Sequence, residues 1–307
     1  AMNLKIDFSR WFVFILSGML LAALAACGPQ TPPAATDAPT QSPPTVEVSP
    51  TPQAPTATPV PLAASVNGVG ILLSDFEAEL ARYQAANPGD NAGEEAQRQA
   101  VLDDMIAQQL LAQAAGQAGY QMDDAALQAR LDALAADAGG YPALQDWMQR
   151  NSYSEEDFRR ALKTAAMAAW QRDQIIAGVP QTAEQVHARQ ILVLDEGVAG
   201  RLLEMVKSGS DFSLLAYQYD PVTGGELGWF PRGYLTQKAV EDAAFALDAG
   251  EESEVIQSEI GYHILQVVER DPQRALSADA RKVLQEQKLR EWVQQQRDAG
   301  TVEILIP

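Results

Sequence analysis

The chain has 307 residues, with 22 Lys and Arg against 41 Asp and Glu, and a formal net charge of −19. A field of that sign repels nucleic acid and anionic lipid headgroups, which excludes binding to either through a basic surface. A single cysteine, Cys27, excludes an internal disulfide.

The N-terminus pairs Lys5 and Arg10 with an apolar run, Trp11 to Leu24, that ends in Leu24-Ala25-Ala26-Cys27. A basic start, a short apolar stretch and small residues before a cut site describe a secretory signal peptide, and the run is shorter than the ~20 residues of a membrane-spanning helix. The LAAC tetrapeptide resembles a bacterial lipobox. That resemblance implies removal of residues 1–26 and a lipid on Cys27, so that acyl chains hold the membrane at about 0.8 kcal/mol per buried CH₂. Residues 28–61 contain 11 of the 18 prolines, set among Thr, Ala and Ser. So little apolar surface does not offset the entropy of folding, and residues 27–61 read as a disordered tether, roughly 100 Å long if extended at ~3.1 Å per residue.

The folded part starts at residue 62. Asn67-Gly68 between short apolar runs predicts a hairpin over 64–71, because both central residues of a type I′ turn need positive φ. Ser74 and Glu77 read as a capping box for a helix carrying Phe76, Leu80 and Tyr83. A longer helix is expected over 94–118, with Leu102, Met105, Ile106, Gln109 and Leu110 on or near its inner face. Asp123 caps the next, which carries Leu127, Leu131 and Leu134 and ends at Gly139-Gly140. Pro142 starts a short helix with Leu144, Trp147 and Met148. Ser154 opens another, with Phe158, Leu162, Ala165 and Ala169 inside, ending near Gly178-Val179-Pro180. Residues 62–180 therefore read as a helical domain.

The next region opens with VHARQILV (186–193), passes through GGELGWFPRG (224–233) and closes with IGYHILQVVER (260–270). Side chains alternate along a strand, so His187 and Gln190 point to opposite faces, and Gly261, His263, Leu265 and Val267 share a face opposite Tyr262, Ile264 and Val268. The glycines of GGELG lack the lysine and helix start of a phosphate loop and suit a tight turn. A helix rich in Gln, Arg and Lys is expected over 277–299; Leu289, Trp292 and Val293 share one stripe while Val283 and Leu284 sit off it, as in a helix that touches more than one neighbour. Gly300 stops it. Residues 301–306 read as a terminal strand that pairs with the hairpin, since a lone hairpin is barely stable in water.

The three blocks within 186–270, in that order, resemble the parvulin family of peptidyl-prolyl cis/trans isomerases. The whole layout, the Val66-Asn67-Gly68 hairpin included, resembles the SurA-like and PrsA-like secretion foldases. The resemblance implies an α+β fold: a mainly helical chaperone domain, 62–180 plus 272–307, into which a parvulin-like α/β domain, 184–271, is inserted with a four-stranded, mostly antiparallel sheet. It implies a cell-envelope protein that rotates X–Pro bonds without metal, nucleotide or other cofactor. Its partners would be unfolded secreted polypeptides held in a cradle formed by the helical domain.

Carried over residue by residue, the family's first-strand histidine falls on Gln190 and its last-strand histidine on His263. The central polar residue, Cys or Asp, falls near Asp220 in Tyr219-Asp220-Pro221, in a loop shorter than is common. The proline cup falls on Leu227, Leu235 and Val240, with Phe230 beside it. Asp195 and Glu196 stand where members that prefer phosphorylated substrates carry basic residues, so that preference is not implied. Gln190 donates and accepts hydrogen bonds, as a neutral imidazole does, but does not titrate. A weakened isomerase and a non-catalytic holdase with a peptide-binding groove both stay open, as does the oligomeric state.

Overall fold

The computed structural model describes residues 60–306, so the leader, Cys27 and nearly all of the tether lie outside the described residues. Asn67 and Gly68 reverse the chain at φ 52° and 80° and pair β1 (Leu62–Val66) with β2 (Val69–Leu72). This is the left-handed region that asparagine and glycine tolerate.

β2 runs directly into α1 (Leu73–Ala86), and here one expectation is corrected. The Ser74–Glu77 box does not form: the N-cap is Leu72 and no side chain caps the helix. The Leu73 N–H donates instead to the Pro61 carbonyl at 3.0 Å, so the hairpin takes up a donor at the helix start. α2 (Glu94–Gln117), α3 (Asp124–Ala138), α4 (Tyr141–Arg150) and α5 (Glu155–Ala177) follow their periodicities. The carboxylate of Asp123 and the hydroxyl of Ser154 accept from Ala126 N–H at 2.7 Å and Asp157 N–H at 3.1 Å, and Gly139 ends α3 at φ 95°. The helices bury two separate cores. Phe76, Leu80, Leu102, Ile106 and Leu110 pack with Val66 and Ile71 of the hairpin. Leu127, Leu131, Leu144, Met148, Phe158 and Leu162 make the other.

The middle of the chain builds β3 (Thr182–Val193), α6 (Glu196–Lys207), α7 (Phe212–Tyr219), β4 (Glu226–Pro231), α8 (Lys238–Ala246), β5 (Ile256–Ser258) and β6 (Gly261–Ala275). The sheet order is β4-β3-β6-β5, and every pairing is antiparallel. Both faces are covered. α6 and α7 pack on Ile191, Val193 and Ile264, while α8 packs on Val186, Ala188, Leu265 and Val267. Asp195, just beyond β3, accepts the Val198 N–H at 2.8 Å and so caps α6.

The chain then returns to its start. α9 (Ala278–Ala299) lies against both α2 and α5, and β7 (Val302–Ile304) pairs with β1 in the order β2-β1-β7. Gly300 is small for a reason: a Cβ there would stand 2.5 Å from Asn67 Oδ1, which accepts the Thr301 N–H at 2.9 Å. The α/β unit is thus inserted between two parts of one helical domain. Among the described residues no helix is long and apolar enough to cross a membrane.

Candidate functional site

β3 and β6 are the two central strands, and their register sets Leu192 opposite His263 and Gln190 opposite Leu265. Opposed residues share a face, so Gln190 and His263 meet diagonally on the side packed by α8. The His263 ring is 1% exposed and held at both nitrogens. Gln190 Oε1 lies 2.8 Å from Nδ1 and Ser258 Oγ lies 2.6 Å from Nε2. An amide oxygen only accepts, so Nδ1 carries the proton and Nε2 accepts from the serine hydroxyl. Burial pushes the His263 pKa below its ordinary value, which keeps the ring neutral.

Ser258 was not among the residues singled out from sequence. It sits on β5 at the far side of a tight hairpin, paired with Gly261, and its hydroxyl also accepts the Ile260 N–H at 3.2 Å. The signal lay in the spacing: a serine three residues before a strand-starting glycine, itself two residues before the histidine.

At the other end of this line Gln190 is fixed through its backbone. Its N–H donates to the Gly225 carbonyl at 2.8 Å. Gly224 and Gly225 adopt φ 67° and 73°, and a Cβ on Gly225 would stand 2.0 Å from the Gln190 carbonyl oxygen. The glycine pair is therefore a turn with a close backbone approach, as its context suggested.

Asp220 does something other than expected. It is the C-cap of α7, and its Oδ1 accepts the Val222 and Thr223 N–H groups at 3.1 Å each, while Oδ2 accepts the Thr223 hydroxyl. Those bonds, the hydroxyl's first, hold its carboxyl below the usual carboxylate range. The carboxylate is spent on closing the turn that delivers Gly225, and no hydrogen bond joins it to His263 or Gln190.

The proline cup needs a second correction. Phe230 and Val240 are fully buried, with the Phe230 ring edge-on to Phe245 at 6.1 Å, so they form a floor and present no surface to a ligand. Leu227 and Leu235 pack half-buried against that floor, in the same cluster as Leu265 and Ile256, the register partner of His263. The segment carrying Leu235 is pinned by a residue the sequence reading missed. Buried Glu241 accepts the N–H groups of Gly233, Tyr234 and Leu235 at 2.8, 3.0 and 3.0 Å. His187 takes no part. It bonds Glu226 at 2.8 Å and stacks on Trp229, away from Gln190.

Residues 175–271 match the family model of the PPIC-type PPIASE domain, and residues 56–162 match that of the SurA-like N-terminal domain. The chain joins a SurA-like N-terminal domain to a PPIC-type domain. Among curated relatives, chaperone SurA of Dechloromonas aromatica is 40% identical over 146 residues, which is 40% of this chain and 33% of that protein. Foldase protein PrsA of Geobacillus sp. is 38% identical over 95 residues, 29% of this chain and 34% of that one. The aligned stretches thus span about a third of the length of these relatives. The solved structure of PrsA from Bacillus anthracis aligns with a TM-score of 0.44 at 24% identity, over 64% of this chain and 96% of that one. That from Bacillus cereus gives 0.44 at 26% identity, over 78% and 90%. Within the PPIC-type domain, Gln190, His263 and Ser258 form one line of side-chain hydrogen bonds across three strands.

Proposed function

We propose that the protein is a lipid-anchored foldase of the cell envelope that binds unfolded secreted chains and accelerates rotation about X–Pro bonds, with reduced activity because glutamine stands at position 190. The observation that carries this reading is His263, tied at both ring nitrogens on the sheet face against which Leu227 and Leu235 pack half-buried.

Rotation about an X–Pro bond crosses a barrier of ~18–20 kcal/mol set by amide resonance and requires no covalent step. A catalyst needs an apolar seat for the ring and fixed polar groups that favour the twisted amide over the planar one. Leu227 and Leu235 supply apolar surface. His263 is too deep to touch a client and acts as a positioning residue through Ser258 and the Ile260 N–H. Because Gln190 offers only a fixed acceptor to Nδ1, the ring has one tautomer and no proton to share, which fits a scaffold rather than an acid–base couple.

Exchange NMR on short Xaa-Pro peptides tests this. The full chain should accelerate isomerisation, His263→Ala should lower the rate about tenfold, and Gln190→His should raise it. A wild-type rate equal to uncatalysed exchange would remove the isomerase and leave a holdase whose PPIC-type domain binds peptide without turnover. The burial of Phe230 and Val240, which shrinks the apolar seat, is the observation that favours this second reading.

A further inference from the structure

The surfaces of the two halves differ in a way that bears on where a client is held. Helices α1 to α5 and α9 expose one large apolar side chain among the described residues, Tyr141 at 38%, its hydroxyl bonded to Gln128, and the strands of the same half add Val69, Ile304 and, just past β7, Leu305 at 46–52%. The sheet domain is different. On α7, Leu214 is 72% exposed and Tyr217 59%, and Val222 in the turn that leaves the helix is 90% exposed.

Phe212, Leu215 and Ala216 form the inner face of α7 and pack on the sheet. Leu214 and Tyr217 stand three residues apart on the outer face, hence one above the other. A helix that is apolar on both sides while only one side is covered has an unpartnered face. The charge around it is one-sided. Asp211 caps the start of α7 and Asp220 its end, and no Lys or Arg occurs from Ser208 to Pro231. Residues 184–271 as a whole carry six Lys and Arg against sixteen Asp and Glu. Arg189, which reaches Ser213 on α7, is neutralised by Glu226 at 3.0 Å.

We propose that the outer face of α7, Leu214 and Tyr217 continued by Val222, is the docking surface for unfolded polypeptide segments in which large apolar residues are flanked by Lys or Arg. Apolar contact supplies the binding, and the negative field of the domain, six Lys and Arg against sixteen Asp and Glu, favours cationic neighbours. The proposal rests on the reading that the protein binds unfolded chains. It moves the holding site from the helical domain to the PPIC-type domain and does not depend on isomerase turnover.

The test uses the full chain and three fluorescent, proline-free twelve-residue probes: one with Leu and Tyr flanked by Lys, one with Glu in place of Lys, and one with Ser in place of Leu and Tyr. Fluorescence anisotropy should show the cationic apolar probe binding at least tenfold tighter than either other. Leu214→Gln with Tyr217→Gln should weaken it at least fivefold, whereas Tyr141→Gln leaves it unchanged. A benzophenone on the same probe should crosslink wild-type protein within residues 211–222, a readout that needs no variant to fold.

Equal affinity for the cationic and acidic probes, an unaltered double variant, or crosslinks on the helical domain would each overturn the proposal while leaving chain binding in place. Binding of none of the probes would overturn both, and isomerisation measured on the same sample would then show whether any foldase activity survives.

Discussion

Two buried polar clusters, one in each half of the molecule, are built on opposite terms. In the sheet, Gln190, His263 and Ser258 are neutral and every facing nitrogen and oxygen is paired. Where α1, α2 and the α4–α5 connection meet, the groups are charged. Buried Glu79 gives Oε2 to the Arg82 guanidinium, while its Oε1, equally buried, has no hydrogen-bond partner among the described residues. Arg82 also lies 4.0 Å over the Tyr153 ring and donates to the Asn151 carbonyl at 2.9 Å, beside Ser152 at φ 58°. Burial raises the Glu79 carboxyl despite Arg82, and burial with the nearby Glu79 pushes the Tyr153 hydroxyl up to about 12. A satisfied neutral network fixes a shape, and because burial lowers the His263 pKa its stability falls only as pH drops below about 6.5. A buried ion pair with an orphaned oxygen makes stability depend on charge and on each partner.

Breaking the sheet cluster from its backbone end should have the largest effect. Gly225→Ala places a methyl 2.0 Å from the Gln190 carbonyl and demands a left-handed φ of an L-residue. We expect a loss of about 3–4 kcal/mol in urea denaturation, together with loss of most isomerisation, because Gln190 cannot keep its bond to His263. A variant with wild-type stability and rate would mean that the turn relaxes independently of β3.

The helical cluster should respond next. Arg82→Met leaves the Glu79 charge buried without a partner and should cost about 3 kcal/mol at neutral pH. Adding Glu79→Gln should return at least half of that, since the orphaned charge goes with it. Strict additivity of the two changes would show that the pair is not coupled.

This contrast also explains what the sequence made legible. The Asn67-Gly68 turn, the Asp123 and Ser154 caps and the stop at Gly300 depend on one or two residues and their own backbone, and each stands where its signal placed it. The Ser74 cap failed because a strand, not a loop, precedes α1, and a donor at the helix start is met by Pro61 thirteen positions from Ser74. Ser258 and Glu241 escaped notice because their partners come from register and loop packing. The depth of Phe230 and Val240 is likewise a product of α8 lying on the sheet, which no local pattern records. Asp220 shows the limit of carrying roles across a resemblance: the residue type matches, and its carboxylate faces its own turn.

The smallest expected effect is the most diagnostic of the charged cluster. Asp104, next to Glu79, is pushed up by burial from a carboxyl's 3.8 to about 6, against the pull of the Gln108 amide at 2.9 Å. A folded-state pKa raised above the unfolded one means that the folded chain holds a proton the unfolded chain has released. The stabilisation is therefore full below about pH 4 and is lost as pH rises through about 6. Asp104→Asn cannot ionise and still offers an oxygen to Gln108. It should match wild type at pH 4 and exceed it by about 2–3 kcal/mol at pH 7–8, the gap opening between pH 4 and 6. Glu79, raised in the same direction, adds to the wild-type slope, so the experiment is cleanest in a Glu79→Gln background. Urea midpoints that run parallel for the two chains from pH 4 to pH 8 would mean that Asp104 ionises freely, and that burial in the helical half carries no charge penalty at this position.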